Sequence, residues 1–381
     1  MTDTLDTINN DQNQSFDDIC RELRQEMLGD NELNPIYADQ DTPTDQAITD
    51  NIPFDYNLID HPGNNPEVEM FLVKDANKWL EDSKSRPIPQ MLFDKLWFEH
   101  ELCILFADTN LGKSILAVQI ADGISRGVSI LSLPMEATAQ KVLYFDFELS
   151  DKQFEARYSN NYTDHYTFSN NLIRIEINPD AKMEEGDTFE DWLTRSIIAV
   201  IERENAKIVI IDNLTYLRQG TENAKDALPL MKDLKELKNK YDLSILVLAH
   251  TPKRNLSNPI TRNDLQGSKM LINFCDSCFA VGESTQGKNI RYIKQIKQRN
   301  CEPVYDAKNV IVCEICKPDN FLQFRFLSYG YESEHLRQLT DSDRQSIIDR
   351  AKELGGRGIP QRQIANELGI SLGCVNKYLN Q

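Results

Sequence analysis

Residues 102–114 read LCILFADTNLGKS: an apolar run from Leu102 to Ala107 passes through Asp108, Thr109, Asn110 and Leu111 into Gly112, Lys113 and Ser114. An unbroken apolar run of this length reads as a strand buried on both faces, and the next stretch, Ile115 to Ile124, carries apolar residues at helical spacing. A strand that turns into a helix through a loop ending Gly-Lys-Ser is a phosphate cradle. Successive backbone N–H groups and the helix N-terminus face the anion, Lys113 reaches the β- and γ-phosphates, and the Ser114 hydroxyl ligates Mg²⁺. The whole segment Ala107 to Ser114 is therefore the expected seat for ATP with Mg²⁺. Its first position, usually Gly, is Ala107, a departure that is costly only if the backbone there needs positive φ.

Working outward, three further apolar runs end in polar residues. Lys207-Ile-Val-Ile-Ile-Asp212 closes on a carboxylate about a hundred residues after the cradle, where a Walker B Asp holds the metal's water shell. Val142-Leu-Tyr-Phe-Asp146-Phe147-Glu148 offers two carboxylates past a strand end, the side on which ligands gather in open α/β sheets. Glu148 is the residue expected to polarise the attacking water, and Asp146 is its competitor. Ile245-Leu-Val-Leu-Ala-His250 places His250 near the γ-phosphate, to relay nucleotide state or to serve as a hydrogen-bonded structural histidine. Together with Phe279–Gly282 and Tyr292–Ile296, these short runs alternate with helical patterns, the signature of a mostly parallel sheet covered by helices. A hairpin, Val310–Cys316 with Phe321–Leu327, is expected to close the sheet with antiparallel strands.

The chain has 381 residues and 40% hydrophobic content, enough for a large core and for two or three folded units. Its net charge of -18 is uneven, since residues 1 to 60 hold 15 Asp/Glu against 2 Lys/Arg. The remaining 321 residues carry only -5, so the total does not exclude a partner such as DNA, which responds to local basic clusters. Residues 1–66 are rich in Asp, Asn, Gln and Thr and are expected to be largely disordered, with an amphipathic patch at Phe16–Met27. Residues 67–100 read as a lead-in with a helix around Trp79 and Leu80, and residues 101–330 as the main domain. No run approaches the roughly 18 apolar residues of a membrane span, and Met1–Asn10 lacks a signal peptide's pattern, so a cytoplasmic location is expected.

The four strand ends, in this order, resemble the RecA-like core of hexameric helicases of the RepA and DnaB-type group, over about Leu102 to Asn300. Asp264-Leu-Gln-Gly267-Ser268 resembles the stretch after that group's DNA-contacting loop, and Asp276 sits where a further acidic residue is usual. Lys294-Gln-Ile-Lys297-Gln-Arg299-Asn300 is similar to the Lys-x-Arg such helicases insert into a neighbouring subunit's ATP site. The resemblance implies an ATPase whose Lys297 and Arg299 act in trans, in a homo-oligomer with a hexamer favoured. Alternation puts both residues on one strand face, where a solvated basic strand is the plainer alternative. It also implies a channel for single-stranded DNA lined by the loop Thr251–Lys269, with Lys253, Arg254, Asn255, Arg262 and Lys269.

Residues 340–381 form a second unit. Asp341–Leu354 reads as a helix stopped by Gly355-Gly356, followed by short helices at Pro360–Leu368 and Ser371–Leu379 around a turn at Gly369-Ile370. This resembles a helix-turn-helix that presents Ser371, Gly373, Asn376 and Lys377 to duplex DNA, with Arg357, Gln361 and Arg362 for phosphates. With a net charge of only about +1 for the unit, a protein-binding three-helix cap is the competing view. Cys275-x-x-Cys278 and Cys313-x-x-Cys316 have the spacing of zinc ligands but lie in apolar runs, where thiols behave as small buried hydrophobes. Two functions follow as expectations: an ATP-dependent DNA motor serving replication or mobilisation of a plasmid or mobile element, or a DNA-binding regulator switched by ATP.

Overall fold

The computed structural model describes residues 71–183, 186–217, 224–251, 254–265, 268–338 and 341–380, so the acidic segment 1–66 and its amphipathic patch lie outside the described residues. Contacts divide the chain into Met1–Lys74 and Asp75–Gln381, and the elements described here belong to the second unit. Helix α1 (Ala76–Ser83) starts on Asp75, whose carboxylate accepts the Lys78 N–H at 2.9 Å. A small hairpin, Met91–Phe93 with Trp97–Phe98, occupies the remainder of the expected lead-in and buries Phe93 and Trp97.

The order is then β1 (Leu102–Ala107), α2 (Lys113–Arg126), β2 (Val142–Asp146), α3 (Asp151–Arg157), β3 (Leu172–Ile175), α4 (Phe189–Glu204), β4 (Ile208–Asp212), α5 (Leu214–Leu217) and α6 (Ala224–Tyr241). It continues with β5 (Ser244–His250), α7 (Ser268–Phe274), β6 (Ser277–Glu283), β7 (Ile290–Lys297), β8 (Val310–Cys316) and β9 (Gln323–Gly330), and ends with α8 (Asp341–Gly356), α9 (Gln361–Leu368) and α10 (Leu372–Leu379).

The strands form one nine-stranded sheet in the order β9-β8-β7-β6-β1-β5-β4-β2-β3. From β6 to β3 every neighbouring pair is parallel. Beyond β6 the pairs are antiparallel, so β7 belongs with the closing hairpin and not with the parallel run the sequence suggested. This is an α/β fold of P-loop NTPase kind.

Period-2 alternation makes the core two-sided. Cys103, Leu105 and Ala107 of β1 join Leu116, Ala117, Ile120 and Ile124 of α2 on one face. Leu102, Ile104 and Phe106 join Leu193, Ile197, Leu234 and Leu237 of α4 and α6 on the other. Each such side chain contributes about 1.5–3 kcal/mol by burial, which pins the register of every central strand. Strand β3 was absent from the sequence reading because it is the sheet edge, and all four of its residues are only half-buried.

The last three helices enclose a core of their own, Ala351, Leu354, Ile364, Ala365 and Val375. Helix α8 runs through Gly355 and Gly356 rather than stopping before them; the break comes at Gly358, with φ 77°. Leu379 packs within 2.6 Å of where a Cβ on Gly355 would stand, so the glycine there permits close packing of α10. Gly369, with φ 63°, closes α9.

Candidate active site

Because β1, β5, β4 and β2 are adjacent and parallel, their C-terminal ends form a row. Ala107 pairs with His250, and Asp146 with Asp212. The chain leaves β1 for β2, three places away, and this reversal of winding opens a crevice above the strand ends.

Ala107 is the last residue of β1, in extended pairing with Val281 and His250, so no glycine is required there. The left-handed positions of the loop are Asn110 (φ 62°) and Gly112 (φ 92°). Asn tolerates this region. At Gly112 an added Cβ would lie 2.8 Å from Ile315 Cδ1 and 3.0 Å from the Phe324 ring, so the closing hairpin β8–β9 presses directly on the loop. Gln119 of α2 fastens the same hairpin, donating to Phe324 O at 3.0 Å and accepting from Phe324 N at 2.9 Å. Gly112→Ala is expected to weaken binding of a fluorescent ATP analogue about fivefold to thirtyfold, from the roughly 1–2 kcal/mol cost of a left-handed alanine. An unchanged titration would show that the loop does not need this turn.

Lys113 heads α2 and is 7% exposed. Its ammonium donates to Ala107 O at 3.1 Å and Asp108 O at 3.3 Å, and lies 3.1 Å from His250 Nδ1. Burial lowers its pKa, opposed by the negative charges of Asp212, Glu148 and Asp108. Asp108 Oδ1 takes the Thr109 N–H at 2.7 Å, within the cradle itself.

Asp212 is fully buried. Burial raises its pKa to about 6, helped by the charge of Glu148 and countered by the neighbouring Ser114 and Tyr144 hydroxyls. Tyr144 OH donates to Oδ2 at 2.8 Å, whereas Oδ1 is buried with no partner among the described residues. A buried carboxylate oxygen left without a donor beside a serine hydroxyl suits a hard divalent cation such as Mg²⁺. Ser114 and Asp212 are the residues that would hold it.

Of the two β2 carboxylates, Asp146 is bound into structure: its Oδ1 accepts the Glu148 and Leu149 N–H groups and its Oδ2 the Arg174 Nε at 2.9 Å. Glu148 instead reaches across the crevice, taking the Asn213 amide and lying 3.3 Å from His250 Nε2. The His250 hydrogen bond chiefly, with the charge of Lys113, lowers the Glu148 pKa against the effect of burial. Lys113, Ser114, Glu148, Asp212 and His250 thus converge. Asn213, Tyr144 and Gln119 were missed from the sequence; Asn213 was signalled only by following a strand-end Asp.

Lys297 and Arg299 lie elsewhere. Lys297 pairs with Cys278 at the start of β6, and Asn300 donates to Glu101, just before β1, so the pair occupies the end of the sheet opposite the cradle. They do not stand together on one strand face, since β7 ends at Lys297. Lys297 caps α7 by donating to Ile272 O and Cys275 O, both at 2.6 Å, and burial lowers its pKa. Arg299, about half exposed, donates to Asp276 Oδ1 at 3.1 Å and Asn273 O at 3.2 Å.

The expected DNA-contacting residues are scattered. Lys253 lies outside the described residues, as does the Lys269 side chain, and Arg262 is exposed on a short turn. Arg254 donates to Asn258 O within its own loop. That loop touches the three-helix unit, where Asn258 donates to Gly369 O at 3.0 Å, and the segment leading into it, where Arg337 N donates to Leu256 O at 3.1 Å. In α10, Gly373, Asn376 and Lys377 are exposed, as is Arg362 of α9. Ser371 is exposed too, but its hydroxyl accepts the Cys374 N–H at 3.1 Å as the helix N-cap, which leaves it less free for a base than expected. Cys275, Cys278 and Cys313 are buried, and among the described residues no group of three or more His, Cys, Asp or Glu could hold a metal.

Residues 69–255 match the family model of an AAA domain, which indicates an ATPase of the AAA, P-loop kind. The match covers the cradle and the strand ends through His250; the closing hairpin and the three helices lie beyond it. No curated protein matches the chain. No helix among the described residues is long and apolar enough to cross a membrane.

Proposed function

We propose that the chain is an oligomeric, Mg-ATP-hydrolysing DNA motor of the RepA and DnaB-like helicase kind, acting in the cytoplasm in replication or mobilisation of a plasmid or mobile element. The observation that carries this reading is the convergence of Lys113, Ser114, Asp212, Glu148 and His250 at one end of the sheet. Water attacks the γ-phosphorus, its proton passes towards Glu148, and the bond to the β,γ-bridging oxygen breaks as ADP leaves. Lys113 balances the charge on the transferred group. Mg²⁺ would be held by Ser114 and Asp212 and would supply positive charge to offset that of the triphosphate.

Arg299 completes the site of a neighbouring copy, with Lys297 shaping the junction, in a hexamer. Single-stranded DNA follows the loop carrying Arg254 and Arg262, and a helix-turn-helix built by α9 and α10 contacts duplex DNA through Arg362, Asn376 and Lys377. The contact of Asn258 with Gly369 also supports a second reading, an ATP-switched DNA-binding regulator, because it joins the strand ending at His250 to the helical unit. One assay divides them. A motor separates a forked duplex in an ATP-dependent way, whereas a regulator binds one duplex sequence tightly with ATP altering affinity and no strand released.

A further inference from the structure

We propose that Asn213 is a positioning residue that fixes which oxygen of Glu148 faces the attacking water, a role that rests on the hydrolytic reading above. Asn213 is 3% exposed and connects Asp212 to α5. Its Oδ1 accepts the Thr215 backbone N–H at 2.9 Å and the Thr215 hydroxyl as well. A backbone N–H can only donate, so the amide has one orientation, with Nδ2 directed at Glu148 Oε1.

The second donor to that oxygen is assigned in the same way. The Lys113 ammonium can only donate, so His250 Nδ1, 3.1 Å away, accepts and the ring proton sits on Nε2. Nε2 lies 3.3 Å from the same Oε1. Asn213 Nδ2 and His250 Nε2 lie 3.1 Å apart beside that oxygen. With Oε1 filled from both sides, Oε2 is the oxygen turned towards water.

The two donors differ in what holds them. His250 owes its tautomer to Lys113, which turns to the phosphates when nucleotide binds. Asn213 owes its orientation to Thr215 in its own local turn, and no nucleotide contact is needed to keep it. Asn213 therefore holds the carboxylate in place through the step in which His250 is released, and a shift of about 1 Å in a reacting group lowers the rate about a hundredfold.

The test is steady-state Mg-ATP hydrolysis by the full chain. In Asn213→Ala and Asn213→Asp, kcat is expected to fall about tenfold to a hundredfold with KM near the parent's. Asn213→Asp is nearly isosteric and keeps the Thr215 hydrogen bonds, so its melting midpoint separates a folding defect from a catalytic one. In a Glu148→Gln background, Asn213→Ala should cause no further loss, because the two residues act as one unit. Parental kcat in both variants, a KM that rises in step with the loss, or losses that multiply would overturn the proposal. Lys113→Ala separates this from the wider reading. If that variant is inactive while the Asn213 variants match the parent, only the role of Asn213 falls; if it hydrolyses ATP like the parent, the site assignment falls and Asn213 with it.

Discussion

Mg-ATP hydrolysis by the Lys113→Ala chain is expected to fall about a thousandfold, with stimulation by single-stranded DNA lost alongside it. The ammonium is almost fully buried, and its present partners are two carbonyl oxygens of its own loop and one imidazole nitrogen. Burial disfavours its charge, which a bound triphosphate would restore by supplying opposite charge at short range. Alanine removes both the phosphate partner and the cation that offsets Asp212 and Glu148. Phosphate release with and without DNA measures this directly. A Lys113→Ala chain that hydrolyses ATP at the parental rate would remove the loop from the mechanism.

Arg299→Ala is expected to cost about a thousandfold in turnover while ATP binding is retained. The guanidinium stands at the sheet end opposite its own cradle and does not reach it, so in the proposed hexamer its partner is a neighbour's site. Its ion pair with Asp276 is half-exposed, and pairs of that kind contribute at most about 1 kcal/mol. Charge on a transferring phosphoryl group competes with that easily. Lys297, held by carbonyl oxygens at the end of α7, is far less free to move. Mixing Arg299→Ala with Lys113→Ala chains tests the arrangement: some junctions then combine an intact cradle with an intact arginine, and activity should return in part. No recovery, together with full activity of Arg299→Ala alone, would assign the residue to structure.

The parallel core was legible because its strands are buried on both faces, which writes them as unbroken apolar runs such as Leu102–Phe106 and Ile208–Ile211. The edge strand β3 lacks that constraint, so Leu172–Ile175 carries an arginine and no clear period. At the site, Lys113, Ser114 and Asp212 stand at fixed offsets from strand ends, and that spacing is visible in one dimension. Glu148 was preferred to Asp146 from the sequence, but what separates them physically is Arg174, a residue 28 positions further on that pairs with Asp146. Asn213 belongs to no motif; its part emerges only when Thr215 turns the amide towards a carboxylate from another strand. Lys297 and Arg299 read as neighbours on a strand, but the strand ends between them, since the carbonyls of α7 and the Asp276 carboxylate draw the two cations off the ladder.

The clasp between Gln119 and the main chain of Phe324 bears on how this protein can be dissected. The stretch matching an AAA domain stops at residue 255, yet the start of α2 is braced by a hairpin some sixty residues further on. A fragment trimmed to the matched boundary would retain the cradle and the strand-end residues through His250 and lack the wall that shapes their loop. A fragment that keeps the shape of the loop therefore needs the hairpin through Gly330.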